Sequence, residues 1–172
     1  EMCIRDRADL IHNDDERGGA LATQHLIELG HTKIGFVASS GRQSIRMREK
    51  AWADTLRNAG LEPSWILRRR NNEDLAHKAL SELGDCTALF ASTDGLATAI
   101  IGAAHDAQVN IPGDLAIVGY NNSNIASQVR PQLTTVDQPR YSMGTLALSM
   151  ILERIEGREQ PRTTIVEPNL VV

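Results

Sequence analysis

The chain has 172 residues, and 18 lysines and arginines against 22 aspartates and glutamates give it a formal charge of −4. This length is enough for one domain, or two small lobes, with a hydrophobic core that needs no disulfide or metal to hold it. The acidic balance, with two residues each of Trp, Tyr and Phe, argues against a nucleic-acid-binding groove within these residues. No apolar run approaches the roughly 20 residues of a membrane-spanning helix, so no membrane partner is expected.

The first seven residues, EMCIRDR, combine charge with a lone thiol and show neither helical nor strand periodicity. They resemble one reading frame of a transposon-end sequencing adapter, and we expect residues 1–7 to be an assembly scar on a protein that extends upstream of Ala8. An ordinary frayed terminus is the alternative. Codons in the source DNA that depart from the adapter would exclude the scar.

From Asp9 onward, short β-rich runs alternate with helical periods, a pattern typical of a parallel sheet with crossover helices. Strands are predicted over 9–12, 33–38, 65–69, 87–91 and 115–120, with 163–166 and 170–172 as a last edge strand and its tail. Helices are predicted over 14–29, 44–59, 71 or 72 to 83, and 94–107, where Asp, Asn and Gly residues supply caps. The fold class is therefore predicted to be α/β, with a doubly wound parallel sheet.

A further helix is predicted over 140–156, and its apolar positions form a stripe too broad for an isolated surface helix. Met143, Met150 and Ile155 belong to this stripe. We expect apolar surface to be exposed around these three residues.

Cys3 and Cys86 stand alone, without a CxxC pair or a Cys/His grouping at zinc spacing. This usage fits a reducing, cytoplasmic environment and gives no indication of a metal site. The chain also lacks a GxSxG nucleophile elbow, a GxxxxGKS/T phosphate loop and a GxGxxG fingerprint after a strand. We therefore expect a protein that is not an enzyme and that uses no cofactor.

Polar residues follow three of the predicted strands at their carboxyl ends, where a sheet of this kind places its ligand crevice. In chain order, these residues are Arg46 and Arg48, then Thr93 and Asp94, then Asn121. An arginine can form two parallel, charge-assisted hydrogen bonds to hydroxyl or carboxylate groups, and short polar side chains can complete the cage. The pattern favours a sugar-like ligand, which makes many directional polar contacts.

Each of these residues also has a plainer interpretation. Arg46 and Arg48 can be solvated charges on a helix. Thr93 or Asp94 can simply cap the helix that follows, and the run that begins at Asn121 can be a turn that tolerates left-handed residues. Position alone leaves these alternatives open.

Five stretches of the chain form a larger pattern when they are taken together and in order. They are Gly18-Gly19 with HLIELGHTKIGFV (25–37), RMREKAWADTLRNAGL (46–61), ALFASTDGLA (88–97), NIPGDLAIVGYNNSNIAS (110–127) and RPQLTTVDQPRYSMG (130–144). Together they resemble the effector-binding core of the lac-repressor/galactose-repressor family of bacterial transcription regulators.

The resemblance implies a type I periplasmic-binding-protein-like fold with two lobes, of which the chain holds mainly the second. Residues 8–172 would be a partial effector-binding domain, with the C-terminal lobe over 16–136 and a final strand and tail over 163–172. A helix over 139–157 would return to an N-terminal lobe that is absent, which would account for its exposed stripe. The helix-turn-helix headpiece of whole family members would be absent as well.

The resemblance also assigns roles to single residues. Arg48 matches the family's effector-gripping arginine, and Thr93 with Asp94 matches a polar pair at the lobe's strand end. Asn121 stands where many members have an aspartate, which removes a charge. Asn71 stands where some members stack an aromatic side chain on the ligand. A polar sugar or sugar acid therefore fits better than a flat purine.

The mechanism that the resemblance implies is allosteric. An effector in the cleft between the lobes would change how a homodimer presents its two headpieces to operator DNA, with the DNA contacts made by the absent headpiece. Gln138 lies on the crossover back to the first lobe, close to the hinge that would sense closure. The alternatives are a solute-binding component of a sugar uptake system, which shares the fold, and a small α/β enzyme.

Overall fold

The computed structural model describes residues 8–39, 41–69, 72–82 and 84–172. Two sequence predictions, the adapter scar over 1–7 and the ligand contact at Asn71, lie outside the described residues. The strands are β1 (Leu10–Asn13), β2 (Ile34–Ala38), β3 (Ile66–Arg68), β4 (Ala88–Ala91), β5 (Ala116–Asn121), β6 (Thr134–Asp137), β7 (Thr163–Val166) and β8 (Asn169–Val171). The helices are α1 (Asp15–Glu28), α2 (Gln43–Asn58), α3 (Asn72–Ser81), α4 (Asp94–Asp106), α5 (Asn124–Gln128) and α6 (Arg140–Ile155).

The main sheet has the strand order β3-β2-β4-β5-β6-β8, and its neighbouring strands are parallel except for β6 with β8. The register pairs Phe36 with Phe90 and Asn121 with Asp137, so the carboxyl ends of β2, β4, β5 and β6 share one edge of the sheet. Helices cover both faces. The predicted α/β class with a doubly wound parallel sheet is confirmed.

Alternate side chains of the central strands enter two hydrophobic cores, one on each face of the sheet. Phe36 and Phe90 meet edge to face, with ring centroids 5.2 Å apart, and they pack with Trp52 on the side of α1 and α2. Leu89 points the other way and packs with Ile100 on the side of α3 and α4. Strands β2 and β4 are buried along their whole length, which is why they occur in the sequence as unbroken apolar runs.

Local sequence signals begin and end α1 as predicted. The carboxylate of Asp14 accepts a hydrogen bond from the backbone N–H of Arg17 at 2.9 Å, which caps the start of α1. Gly30 follows the end of this helix with φ +93°, a left-handed conformation that costs little without a side chain.

The sequence prediction lacks β6 and the short helix α5. The β6 segment has only four residues and lies between Pro131 and Pro139, so no alternating pattern marks it as a strand. Its extended conformation is held by backbone pairing with β5 on one side and β8 on the other. Tertiary pairing, rather than local propensity, therefore forms this strand.

The single edge strand predicted near the carboxyl terminus is wrong, because the segment forms two strands in two different sheets. Strand β7 pairs in parallel with β1 in a separate two-stranded sheet, whereas β8 pairs antiparallel with β6. Pro168, which has no N–H to donate to a ladder, lies buried between them. The chain therefore changes sheets at this proline.

Helix α6 packs against β1 and leaves much of its apolar stripe in solvent. Ile155 is 75% exposed, as predicted, and Met143 is half-buried. The expected exposure of Met150 is wrong, because its side of the helix faces the structure and the residue is only 1% exposed. The exposed apolar residues of this helix, called here the α6 apolar face, are Tyr141, Leu148, Ile151, Leu152 and Ile155.

Candidate ligand-binding site

Arg48 is a buried and well-held polar side chain at the carboxyl edge of the main sheet. It projects from α2 and is 4% exposed, with its Nε donating to Oδ1 of Asp15 at 2.8 Å. Its Nη1 donates to the backbone carbonyl of Ser92 at 2.8 Å, just after the end of β4. The guanidinium carbon lies 3.5 Å from the ring centroid of Tyr120, a cation–π contact. Three elements therefore fix the direction in which this arginine points.

Close packing of α1 brings Asp15 to Arg48. A Cβ on Gly18 would collide with the hydroxyl of Tyr120, and a Cβ on Gly19 would lie 2.7 Å from the backbone oxygen of Arg48. Since only glycine lacks that atom, the Gly18-Gly19 pair allows α1 to approach both β5 and α2.

Tyr120 links this cluster to the second sheet. Asn13, the last residue of β1, donates through Nδ2 to the Tyr120 hydroxyl at 2.7 Å. Burial raises the pKa of the Tyr120 hydroxyl far above its usual range, so it remains a neutral partner. Asn13 and Asp15 thus tie the main sheet to the segment that leaves β1.

Asp94 is fully buried and binds protein groups with both carboxylate oxygens. Its Oδ2 accepts from the backbone N–H of Ser123 at 2.7 Å and from the Ser123 hydroxyl at 2.9 Å, and its Oδ1 accepts from the hydroxyl of Thr135. The carboxylate therefore joins the segments that follow β4 and β5 to the first half of β6. Thr93 caps α4, with Oγ1 accepting from the backbone N–H of Leu96 at 3.3 Å, which is the plainer of its two interpretations.

Asn121 ends β5 in an unusual backbone conformation, with φ 118°. Such positions cost free energy in residues other than glycine and occur often where a ligand is bound. Asn122 follows with φ 47° and donates through Nδ2 to Oδ1 of Asp137 at 3.0 Å. The half-buried Asn121 side chain makes no hydrogen bond to any part of the chain that the structure describes.

The remaining predicted residues lie at the rim. Arg46 is exposed, and its Nη1 donates to the carbonyl of Gly41 at 2.7 Å. Gln138 is half-buried beside a cavity of about 390 Å³ at the crossover from β6 to α6. Arg140 borders the same cavity and donates to the carbonyl of Asn122 at 2.9 Å.

A separate cavity adjoins the ion pair of Arg48 and Asp15. It measures about 240 Å³ and lies between β1 and the first turns of α2, with a lining of Leu10, His12, Asp15, Gln43, Ser44 and Met47. A further cavity, of about 230 Å³, lies near the amino ends of β5 and β6, away from the polar residues at the carboxyl edge, and its lining includes Leu26, Ile101 and Leu133. Convergent polar groups mark a binding site for a polar ligand, so the strand-end cavities are the better candidates.

Sequence reasoning missed Asn13, Asp15 and Tyr120. Asp15 looked like a helix-start residue and Tyr120 like the end of an apolar strand, and both descriptions are correct but incomplete. Among the described residues, no group of three or more His, Cys, Asp or Glu side chains is placed to hold a metal ion. Within the same residues, no helix has the length and apolar character needed to cross a membrane.

A doubly wound parallel sheet with polar residues gathered at its carboxyl edge, and with a second small sheet beside it, defines a periplasmic-binding-protein-like domain. The family model described as "Periplasmic binding protein-like domain" matches residues 23–172, and the chain belongs to this family. Its similarity is specifically to the effector-binding portion of LacI-family regulators, so the resemblance found in the sequence is confirmed.

The relatives that establish this similarity are longer than the chain. The HTH-type transcriptional repressor PurR of Aliivibrio fischeri strain MJ11 is 33% identical over 177 residues, which cover 96% of this chain and 52% of that protein. A LacI family transcriptional regulator of Enterococcus faecium, solved with bound ribose, has a TM-score of 0.86 and 25% identity over 95% of this chain and 63% of its own. The transcriptional regulator CelR, solved with cellobiose, has a TM-score of 0.86 and 29% identity, and the match covers 97% of this chain and 54% of the CelR chain. The chain spans about half the length of the curated relatives it matches.

Proposed function

We propose that the chain is the ligand-sensing part of a bacterial DNA-binding transcription regulator and that it binds a small polar effector, a sugar or sugar acid, over the strand ends of the main sheet. The observation that carries this proposal is Arg48, a buried guanidinium held from three sides beside a cavity whose lining includes Asp15, Gln43 and Ser44. Its Nη2 makes no hydrogen bond to the described residues. A donor held this way is suited to a ligand hydroxyl.

The proposed roles differ among the predicted site residues. Arg48 and Asn121 would contact the effector directly, and Arg46 and Gln138 would contact it from the rim. Thr93 and Asp94 would shape the site by holding the strand ends, because their oxygens already accept hydrogen bonds from the protein. Asn71 remains a proposed ligand contact on the resemblance alone.

The proposed regulation is allosteric and involves no chemical step. Residues 16–136 would form one lobe, and residues 139–157 would return to a second lobe. Effector binding between the lobes would alter the affinity of a cytoplasmic homodimer for operator DNA. A coupling of about 1–3 kcal/mol is enough for a several-fold to hundred-fold change in affinity. The similarity to repressors favours this function over a solute-binding component of an uptake system or an enzyme.

The test uses the full-length product of the gene, titrated calorimetrically with a panel of sugars and sugar acids. Arg48→Lys should weaken binding of the effector by roughly a hundredfold, because an ammonium group cannot reproduce the fork of the guanidinium. Arg57→Lys is the matched control, since Arg57 is an exposed residue on the same helix. Unchanged affinity in Arg48→Lys would contradict the site, and operator binding indifferent to the bound sugar would contradict the regulator.

A further inference from the structure

We infer that Asp15 restricts the proposed site to uncharged effectors, because its carboxylate already neutralises the arginine that would otherwise attract an anion. This inference rests on the proposed function and deepens it, since a sugar and a sugar acid then become distinguishable ligands. The Nε of Arg48 and Oδ1 of Asp15 are 2.8 Å apart, and the two side chains are only 4% and 11% exposed. Asp15 also lines the adjoining cavity, so a ligand there would lie against the carboxylate that pairs with Arg48.

Because both side chains are buried, the ion pair of Arg48 and Asp15 stays formed. A buried charge is strongly disfavoured without a partner, so neither Arg48 nor Asp15 can leave the other at low cost. An anionic ligand that approached Arg48 would lie within a few ångströms of the Asp15 carboxylate, and like charges in a water-poor site repel strongly. A hydroxyl group avoids that repulsion and can still accept from the free Nη2 of Arg48.

Asp94 adds a second buried carboxyl group, which pairs with no cation among the described residues. Its oxygens accept only from neutral donors, the backbone N–H and hydroxyl of Ser123 and the hydroxyl of Thr135. Among the described residues, the buried acidic and basic side chains near the strand ends are therefore Arg48, Asp15 and Asp94. Half-buried Asp137, bound by the amide of Asn122, adds to the same negative balance.

The cations at the rim do not reverse this balance. Arg46 and Arg140 are both exposed, and each already donates to a backbone carbonyl. The helix dipole gives the first N–H groups of α2 a partial positive charge, which no acidic residue in the first turn offsets. This charge is weak beside a full carboxylate. Water and salt screen exposed charges far more than buried ones, so the buried carboxylate of Asp15, which lines the cavity, has the larger effect on a ligand there.

Matched ligand pairs test the inference by calorimetry on the full-length product of the gene. The pairs are D-glucose with D-glucuronate, D-galactose with D-galacturonate, and D-ribose with ribose 5-phosphate. The wild-type protein should bind the neutral member of the best pair at least about tenfold more tightly than the charged member. In Asp15→Asn the charged member should gain about tenfold in affinity, because the guanidinium then lacks its counter-charge.

Two further variants separate the local pairing from other effects. Glu16→Gln removes an exposed carboxylate one residue away, which lies 3.8 Å from Lys50, and it should leave the preference unchanged. Asp15→Glu keeps the charge and should restore the preference for the neutral ligand. A gain of affinity for an acid cannot arise from partial unfolding, so the Asp15→Asn result reports on charge rather than on stability.

The outcomes distinguish this inference from the proposed function. Tighter binding of the charged member by the wild-type protein would overturn the inference while leaving a sugar-class effector in place. A preference that is the same in Asp15→Asn and the wild-type protein would also overturn it. Binding of no member of any pair would refute the proposed sugar-class effector, and the inference would fall with it.

Discussion

At the scale of single residues, the glycine pair in α1 has as large a part in the candidate site as the arginine itself. Gly19 faces the backbone of Arg48, and Gly18 faces the ring of Tyr120. The close approach buries the Asp15 and Arg48 pair and stacks the guanidinium on the tyrosine ring. A bulkier residue at either glycine would move α1 outward and would open a charged pair to water. The geometry of the site therefore depends on two positions that have no side chain of their own.

Gly19→Ala should destabilise the fold by about 1–3 kcal/mol, because its Cβ would meet backbone atoms that cannot move aside. The matched control is Gly102→Ala in α4, where a Cβ would have no atom within 4 Å. That change should stabilise the protein by up to about 1 kcal/mol through the lost flexibility of the unfolded chain. Urea unfolding followed by circular dichroism measures both. Equal stabilities of the two variants would contradict the tight packing of α1.

The sequence could predict where Arg48 lies but not what holds it. The order of strands and helices placed an arginine after β2, close to the carboxyl edge of the sheet. Asp15 lies 33 residues away along the chain, and an acidic residue in the first turn of a helix is already explained by the helix dipole. A side chain that satisfies a local rule gives no sign that it also serves a distant partner. Tyr120 was hidden in the same way, as one more apolar residue of a buried strand.

At the scale of elements, an ion cluster holds the end of α6 to the small sheet of β1 and β7. Asp9, just before β1, accepts from Arg158 Nη1 at 3.0 Å, from Arg158 Nη2 at 2.7 Å and from Arg154 Nε at 3.3 Å. The backbone N–H of Arg162, just before β7, donates to the same carboxylate at 2.8 Å. The hydrogen bond from Arg158, as the largest of these effects, holds the pKa of Asp9 well below its usual value. One carboxylate thus joins the start of β1 to the segment from the end of α6 to the start of β7, with Arg158 lying 149 residues away from Asp9 along the chain.

Asp9 should make the stability of this region depend on acid pH. Because its pKa is lowered in the folded state, the unfolded chain binds more protons as the pH falls below about 4. The contribution of Asp9 is therefore fully present near neutral pH and is lost progressively on acidification. Asp9→Asn should lower the urea midpoint at pH 7 and make its decline from pH 5 to pH 3 shallower. Asp74→Asn, which removes an exposed carboxylate from α3, is the control. Parallel pH profiles for Asp9→Asn and the wild-type protein would contradict this role.

Elements whose residues carry their own pattern were the ones that the sequence predicted. Strands β2 and β4 are unbroken apolar runs, and α1 and α4 have capping residues and a regular apolar face. Strand β6 has neither, since a short Thr-rich segment near two prolines becomes extended only by pairing with β5 and β8. The separation of β7 from β8 also depends on the strands with which they pair, because β1 sets the register of β7 and β6 sets that of β8. Long-range pairing is the part of the fold that periodicity does not encode.

At the scale of the whole molecule, the chain has one well-packed body and one helix with an uncovered face. The main sheet is buried between two cores, whereas α6 touches the small sheet and presents several large apolar side chains to water. Contiguous apolar surface of this kind usually marks a contact with another segment or protein. The relatives are about twice as long as the chain, which fits the proposal that a second lobe covers the α6 apolar face.

The 172-residue chain should therefore bind an apolar fluorescent dye and self-associate, because the α6 apolar face is costly to leave in water. Ile155→Lys should reduce both effects, since Ile155 is 75% exposed and its replacement breaks the patch without removing a core contact. Leu29→Lys is the control, because Leu29 is 61% exposed but directly follows α1, outside the face. Sedimentation velocity and dye fluorescence measure the two effects, and circular dichroism confirms that the variants remain folded.

The full-length product of the gene should bind little dye at the same concentration, because its second lobe would cover the face. A monodisperse 172-residue chain without dye binding, or equal dye binding by both proteins, would show that this face needs no cover.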